Sequence, residues 1–143
     1  MSDAPLTQRR VERDFRDRIL ASPLAKEIAG EVYYRGTAPR DFRLEHATVA
    51  FTAGHPGQIE SGTVTVNIYV PDIDPYDNGV YMENMARTEI LEELASEWAA
   101  ALEEDDPDYL VSLADSVHTT AEPETDRHFI VVRLNYRHFN ERQ

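Results

Sequence analysis

The side chains best placed for chemistry gather in one acidic stretch, Asp72-Ile73-Asp74-Pro75-Tyr76-Asp77-Asn78-Gly79, with Glu83 close behind. Asp72, Asp74, Asp77 and Glu83 suggest a calcium loop, because a hard cation takes carboxylate oxygens at alternate positions and a closing Glu at the twelfth. The template also asks for Gly at the sixth place and an oxygen at the fifth. Here Asp77 holds the sixth place, Tyr76 the fifth, and Pro75 intrudes. The stretch therefore reads better as an acidic turn that ends a strand and places negative charge before a helix N-terminus, where it is favoured.

Other chemistry finds less support. The histidines are His46, His55, His118, His128 and His138, and no two have the i, i+4 spacing of a helical zinc motif. His118 and His128 would meet across a hairpin if their strands pair in that register. No serine sits in a G-x-S-x-G turn. The chain has no cysteine, which excludes disulfides, thiolate zinc sites and thiol catalysis. Gly36-Thr37 and the glycines at 54 and 57 lack the lysine of a phosphate loop. No cofactor and no enzymatic activity are expected.

The elements that hold these residues follow from periodicity. Val64, Val66, Ile68 and Val70 alternate with Thr63, Thr65, Asn67 and Tyr69, a period-two strand over 62–70 that Pro71 should stop. Its counterpart is 128–139, with Ile130, Val132, Leu134 and Tyr136 inward and Arg133, Asn135 and Arg137 outward. Val11, Phe15 and Ile19 make one apolar stripe of a helix over 7–20, and Ser22-Pro23 starts a second that Gly30 ends. Shorter strands are expected at 31–35 and 47–52. A long helix is expected over 81–104, its core face formed by Ile90, Leu91, Leu94, Trp98, Ala101 and Leu102 and its wet face by glutamates. Residues 109–118 read as one strand, with a helix as the alternative, and 119–126 as a turn. The two best strands should be neighbours in the sheet centre. Of Tyr33 and Tyr34, one should be buried and one exposed.

This order predicts an α+β fold: an antiparallel or mixed sheet of about five strands, with an N-terminal helix and one long central helix packed on one face. With 143 residues the chain reads as a single domain, 1–143, with 1–7 a flexible tail. Neither a membrane helix of about 20 apolar residues nor a secretory signal is apparent. The net charge of −13 and the single lysine, Lys26, disfavour nucleic acid and anionic membranes as partners, because a phosphate backbone is bound by clustered Lys and Arg. A protein partner, or a ring of like subunits, is the freer choice.

Taken whole, from about 20 to 139, the chain resembles the tail-completion proteins of long-tailed bacteriophages, also called tail terminators or head–tail joining proteins. The resemblance lies in the order of LASPLAKEI, VYYRGTAP, ATVAFT, VTVNIYVPDID, the helix over 89–102 and DYLVSLADSVHTTAEPETDRHFIVVRLNYRHF. The acidic PDIDPYDNG turn is its main departure. The resemblance implies a structural protein without an active site. Its copies would form a ring, typically a hexamer, and meet other phage neck or tail proteins, in the cytoplasm during assembly and then in the virion. It also implies that the loops 36–44 and 53–61 make the contacts, through Arg40, Asp41, Arg43, His55 and Gln58. An acidic lumen would let DNA pass without adhering. Two alternatives stand beside this reading: a small acidic ligand- or calcium-binding domain centred on 72–83, and a module docking a basic partner on the glutamate face of the long helix.

Overall fold

The computed structural model describes residues 6–28, 30–39, 43–52 and 59–139. Its elements, in chain order, are α1 (Gln8–Leu20), α2 (Pro23–Glu27), β1 (Val32–Tyr34), β2 (His46–Thr52), β3 (Ser61–Pro71), α3 (Met85–Glu104), β4 (Tyr109–Leu113), β5 (His118–Ala121) and β6 (Arg127–His138). The class is α+β, as the periodicity predicts. β3 and β6 lie side by side at the sheet centre, antiparallel from Ser61↔Arg137 to Pro71↔Arg127. Their register sets Val64 opposite Leu134, Val66 opposite Val132 and Ile68 opposite Ile130, so every inward side chain of one meets an inward side chain of the other.

The sheet is mixed, in the order β1-β2-β3-β6-β4, because β1 runs parallel to β2 while the other pairs are antiparallel. Among the described residues it has six strands, where about five are expected. The expected single strand over 109–118 is two. β4 ends at Leu113, and β5 begins at His118 and takes Thr119 to Ala121 out of the expected turn. β6 is twelve residues long, enough for β4 to pair its second half and β5 its first. The pairing puts His118 opposite Val131 and His128 opposite Ala121, so the two histidines do not meet.

The three helices of the described residues lie on one face of the sheet. The core joins Val11, Phe15 and Ile19 of α1 and Leu24 of α2 to Leu91, Ala95, Trp98, Ala99 and Leu102 of α3, over the inward residues of β2, β3 and β6. Burial at Ala95 and Ala99 shows that α3 turns small residues toward the sheet, which lets its backbone approach closely. Ile90 and Ala101, expected inward, are exposed instead, and Thr88 is buried in their place. Close approach also explains Gly62. A Cβ there would sit 3.1 Å from the Phe51 ring and 3.3 Å from the Tyr136 hydroxyl.

Polar contacts fix the helices. Thr7 caps α1 by accepting from the Arg10 N–H at 3.2 Å. Ser22 stands at the N-cap position of α2, but its hydroxyl donates back to the Ile19 carbonyl at 2.6 Å instead of capping. α2 ends at Glu27, where Ile28 turns extended. β1 is too short to pair all of β2, and the Phe51 N–H donates instead to the Glu12 carboxylate of α1 at 3.0 Å. Neither Tyr33 nor Tyr34 is fully exposed or buried. Tyr34 lies beneath the Arg9 and Arg16 guanidinium groups, and Tyr33 meets the edge of His46 on the open face of the sheet.

Candidate functional site

The acidic turn grows out of the end of β3. Pro71 still pairs with Arg127, and the Asp72 N–H donates to the Asp126 carbonyl at 2.8 Å. The chain then folds into a small arm. Ile73 and Met82 exchange both backbone hydrogen bonds, each at 2.9 Å, and close a two-residue bridge at its base. Asp74 holds the tip from inside: its two oxygens accept the N–H groups of Asn78 at 3.0 Å and Gly79 at 2.8 Å. Asn78 accepts from the Val80 N–H at 3.0 Å. Asp77 at φ 52° and Gly79 at φ 79° supply the two left-handed residues of the reversal, a region that Asp tolerates and Gly enters freely. The helix α3 starts four residues later than periodicity predicts because 81–84 belong to the arm and the Asn84 cap, whose side chain accepts from the Arg87 N–H.

The four candidate metal ligands serve four different purposes. Asp74 is spent on the tip. Asp72 accepts from His128 Nδ1 at 2.7 Å. Glu83 accepts from the Thr88 hydroxyl at 2.6 Å and lies 3.8 Å from His128 Nε2. Asp77 is exposed in the turn. Among the described residues no three His, Asp or Glu side chains group to hold a metal ion. His128, between two carboxylates on opposite ring nitrogens, clasps the base of the arm to the first residues of β6.

A shallow open groove of about 340 Å³ runs beside the arm, lined by Arg43, Leu44, Glu45, Pro71, Ile73 and Arg87 among others. Glu45, Asp72, Asn84 and Arg87 in its lining are already engaged. Arg87 forks onto Glu45, 2.7 and 2.8 Å, and reaches Glu27 at 2.6 Å, tying α3 to α2 and to the entry of β2. The hydrogen bonds it donates to Glu45, then Glu27, hold the guanidinium pKa above its ordinary value. Of the expected loop contacts, Arg43 stands exposed at this groove, while Arg40, Asp41, His55 and Gln58 lie outside the described residues.

A second polar cluster lies at the far end of α3. Arg18 binds both Asp106 oxygens, at 2.6 and 3.0 Å, and Asp108 at 2.8 Å. Asp106 also accepts from the Asp108 and Tyr109 N–H groups, and Tyr109 donates its hydroxyl to Asp14 at 2.7 Å. Burial opposes ionisation of Asp106, but Arg18 and the two N–H groups outweigh it and hold the carboxyl below its usual range. Burial, then Asp14, pushes the Tyr109 phenol up. The acidic run at 103–106, unfavourable at a helix C-terminus, is thus partly offset by an arginine from α1.

What periodicity missed is the apolar face of the arm. Among the described residues eleven large apolar side chains are exposed, and six of them, Ile73, Tyr76, Val80, Tyr81, Met82 and Met85, fall within 73–85. Tyr76 is 73% exposed and Met85 69%. The available signal was a set of apolar residues inside an acidic turn, with no helical or strand period to bury them.

No family model matches the chain, and no curated protein does. A solved structure of a protein known only by a sequence identifier is similar at 18% identity, covering 97% of this chain and 100% of that one, with a TM-score of 0.45. At that score it bears on neither fold nor function. Among the described residues no helix is long and apolar enough to cross a membrane.

Proposed function

We propose that the chain is a structural protein of phage or prophage virion assembly, a tail-completion or head–tail joining subunit that acts by ring formation and protein contacts and catalyses nothing. The observation that supports this reading is the contrast between its polar and apolar groups. Asp72, Asp74, Glu83, Arg87, Arg18 and Asp106 are engaged with one another and with the backbone. The apolar side chains of an ordered arm stand in solvent. Several exposed apolar side chains on a segment held by its own hydrogen bonds suit protein docking, and Tyr and Met are favoured at such contacts. The order of segments adds the class of assembly, and the acidic charge suits a lumen that DNA must traverse.

The reading requires self-association. Sedimentation velocity over a concentration series should show the 16.3 kDa chain going over to a closed multiple of that mass, alone or on addition of tail-tube protein. A chain that stays monomeric under both conditions would contradict it.

A further inference from the structure

Two exposed patches sit at opposite ends of the central strand pair, and we infer that the 73–85 arm of one copy docks on a patch formed by Leu110, Arg137 and Phe139 of the next. This deepens the ring reading and rests on it. The first observation is chemical. The arm presents Tyr76, Val80 and Tyr81 on a segment that has four acids and no Lys or Arg between Asp72 and Glu83. At the other end Leu110, 57% exposed, pairs directly with Arg137 across β4 and β6, so their side chains share the face of the sheet that the helices leave open. Phe139, exposed, follows two residues on, its N–H bonded to the Asp108 carbonyl. Arg137 is exposed with no ion-pair partner among the described residues, in a protein of net charge −13. Apolar side chains among acids at one end thus complement apolar side chains beside the exposed Arg137 at the other.

The second observation is geometric. The arm leaves β3 at Pro71, beside Arg127, whereas the patch lies where Ser61 faces Arg137. Ten steps of strand separate the ends, about 33 Å at roughly 3.3 Å per residue. One copy cannot close its own arm onto its own patch. A contact between different surfaces on like subunits is heterologous, and such contacts propagate head to tail into rings when the rotation closes. The arm is also held in shape before docking by Asp74 and the Ile73–Met82 bridge, so little order remains to be gained on binding.

The test uses two full-length variants in sedimentation velocity: Tyr76→Asp with Val80→Asp, which spoils the arm, and Leu110→Asp with Arg137→Glu, which spoils the patch. Each alone should remain monomeric with an unchanged melting temperature. Mixed in equal amounts they should give a 1:1 pair and nothing larger, since one intact arm and one intact patch remain. Association of both variants like the wild type overturns the inference and leaves the ring to another surface. A mixture that stays monomeric overturns it too, because the contact is then not arm on patch. A wild type that never associates removes the inference and the ring reading together. If the Leu110→Asp chain fails to fold, a charge exchange decides: Asp77→Arg alone and Arg137→Asp alone should each lose association, and the two in one chain should regain it. Failure to regain it counts against the inference.

Discussion

Single residues carry most of the long-range ties. Asp106, 3% exposed at its side chain, serves Arg18 and two backbone N–H groups at once. Asp106→Ala strands those donors in a buried site and should cost about 2–4 kcal/mol, read as a lower urea midpoint. His46 is buried, stacked at 4.8 Å on Tyr69, with Arg127 4.5 Å from the same ring. Burial first, and Arg127 after it, lower its pKa against the raising effect of the Leu44 carbonyl. A base whose folded pKa is lowered binds its proton in the unfolded chain first. Its contribution to stability is therefore complete above about pH 6.5 and is lost as the pH falls below it. His46→Phe should lose less melting temperature than the wild type between about pH 7.5 and about pH 5.5. None of these pairings was legible in the sequence. Arg18 and Asp106 are 88 residues apart, and ion pairs at that separation leave no period to read.

Elements were legible in proportion to their pattern. β3 and β6 announce themselves because alternation at 64, 66, 68, 70 and at 130, 132, 134, 136 is local, and their pairing follows from matching apolar faces. β5 does not, because His118-Thr119-Thr120-Ala121 alternates nothing and gains its strand form from the free edge of β6. The face of α3 departs from its apolar period because fit outweighs size: the sheet takes Ala95 and Ala99 rather than Ile90. The acidic residues and the two flanking periods mark the arm as the strand-to-helix link, but its apolar side chains follow no period that would reveal their exposure. Two outcomes belong to this scale. Asp74→Ala should speed hydrogen exchange at the Asn78 and Gly79 amides while global stability falls by about 1 kcal/mol or less, since only the exposed tip loses its acceptor. Calcium at millimolar concentration should leave the melting temperature unchanged, because a bound ion would stabilise by RT ln(1 + [L]/Kd) and the carboxylates serve different partners.

At the scale of the molecule, one sheet face is covered by helices and the other is open, with the arm and the Leu110 patch at its two ends. Such a body has distinct ends and sides, the form a subunit needs for repeated contact with copies of itself. Its net charge of −13 opposes attraction to a phosphate backbone while leaving apolar contacts available. The proposed role draws its class of assembly from the order of segments alone; the exposed surface adds only a place where a protein could dock. The role itself is tested most directly in the genome that encodes the chain. Its reading frame would be deleted, the phage or prophage induced, and the lysate imaged by electron microscopy. The account expects filled heads and tails that remain separate, or tails of uncontrolled length, with joining restored by the wild-type chain supplied in trans. Intact, infectious particles at normal yield without the chain would contradict it.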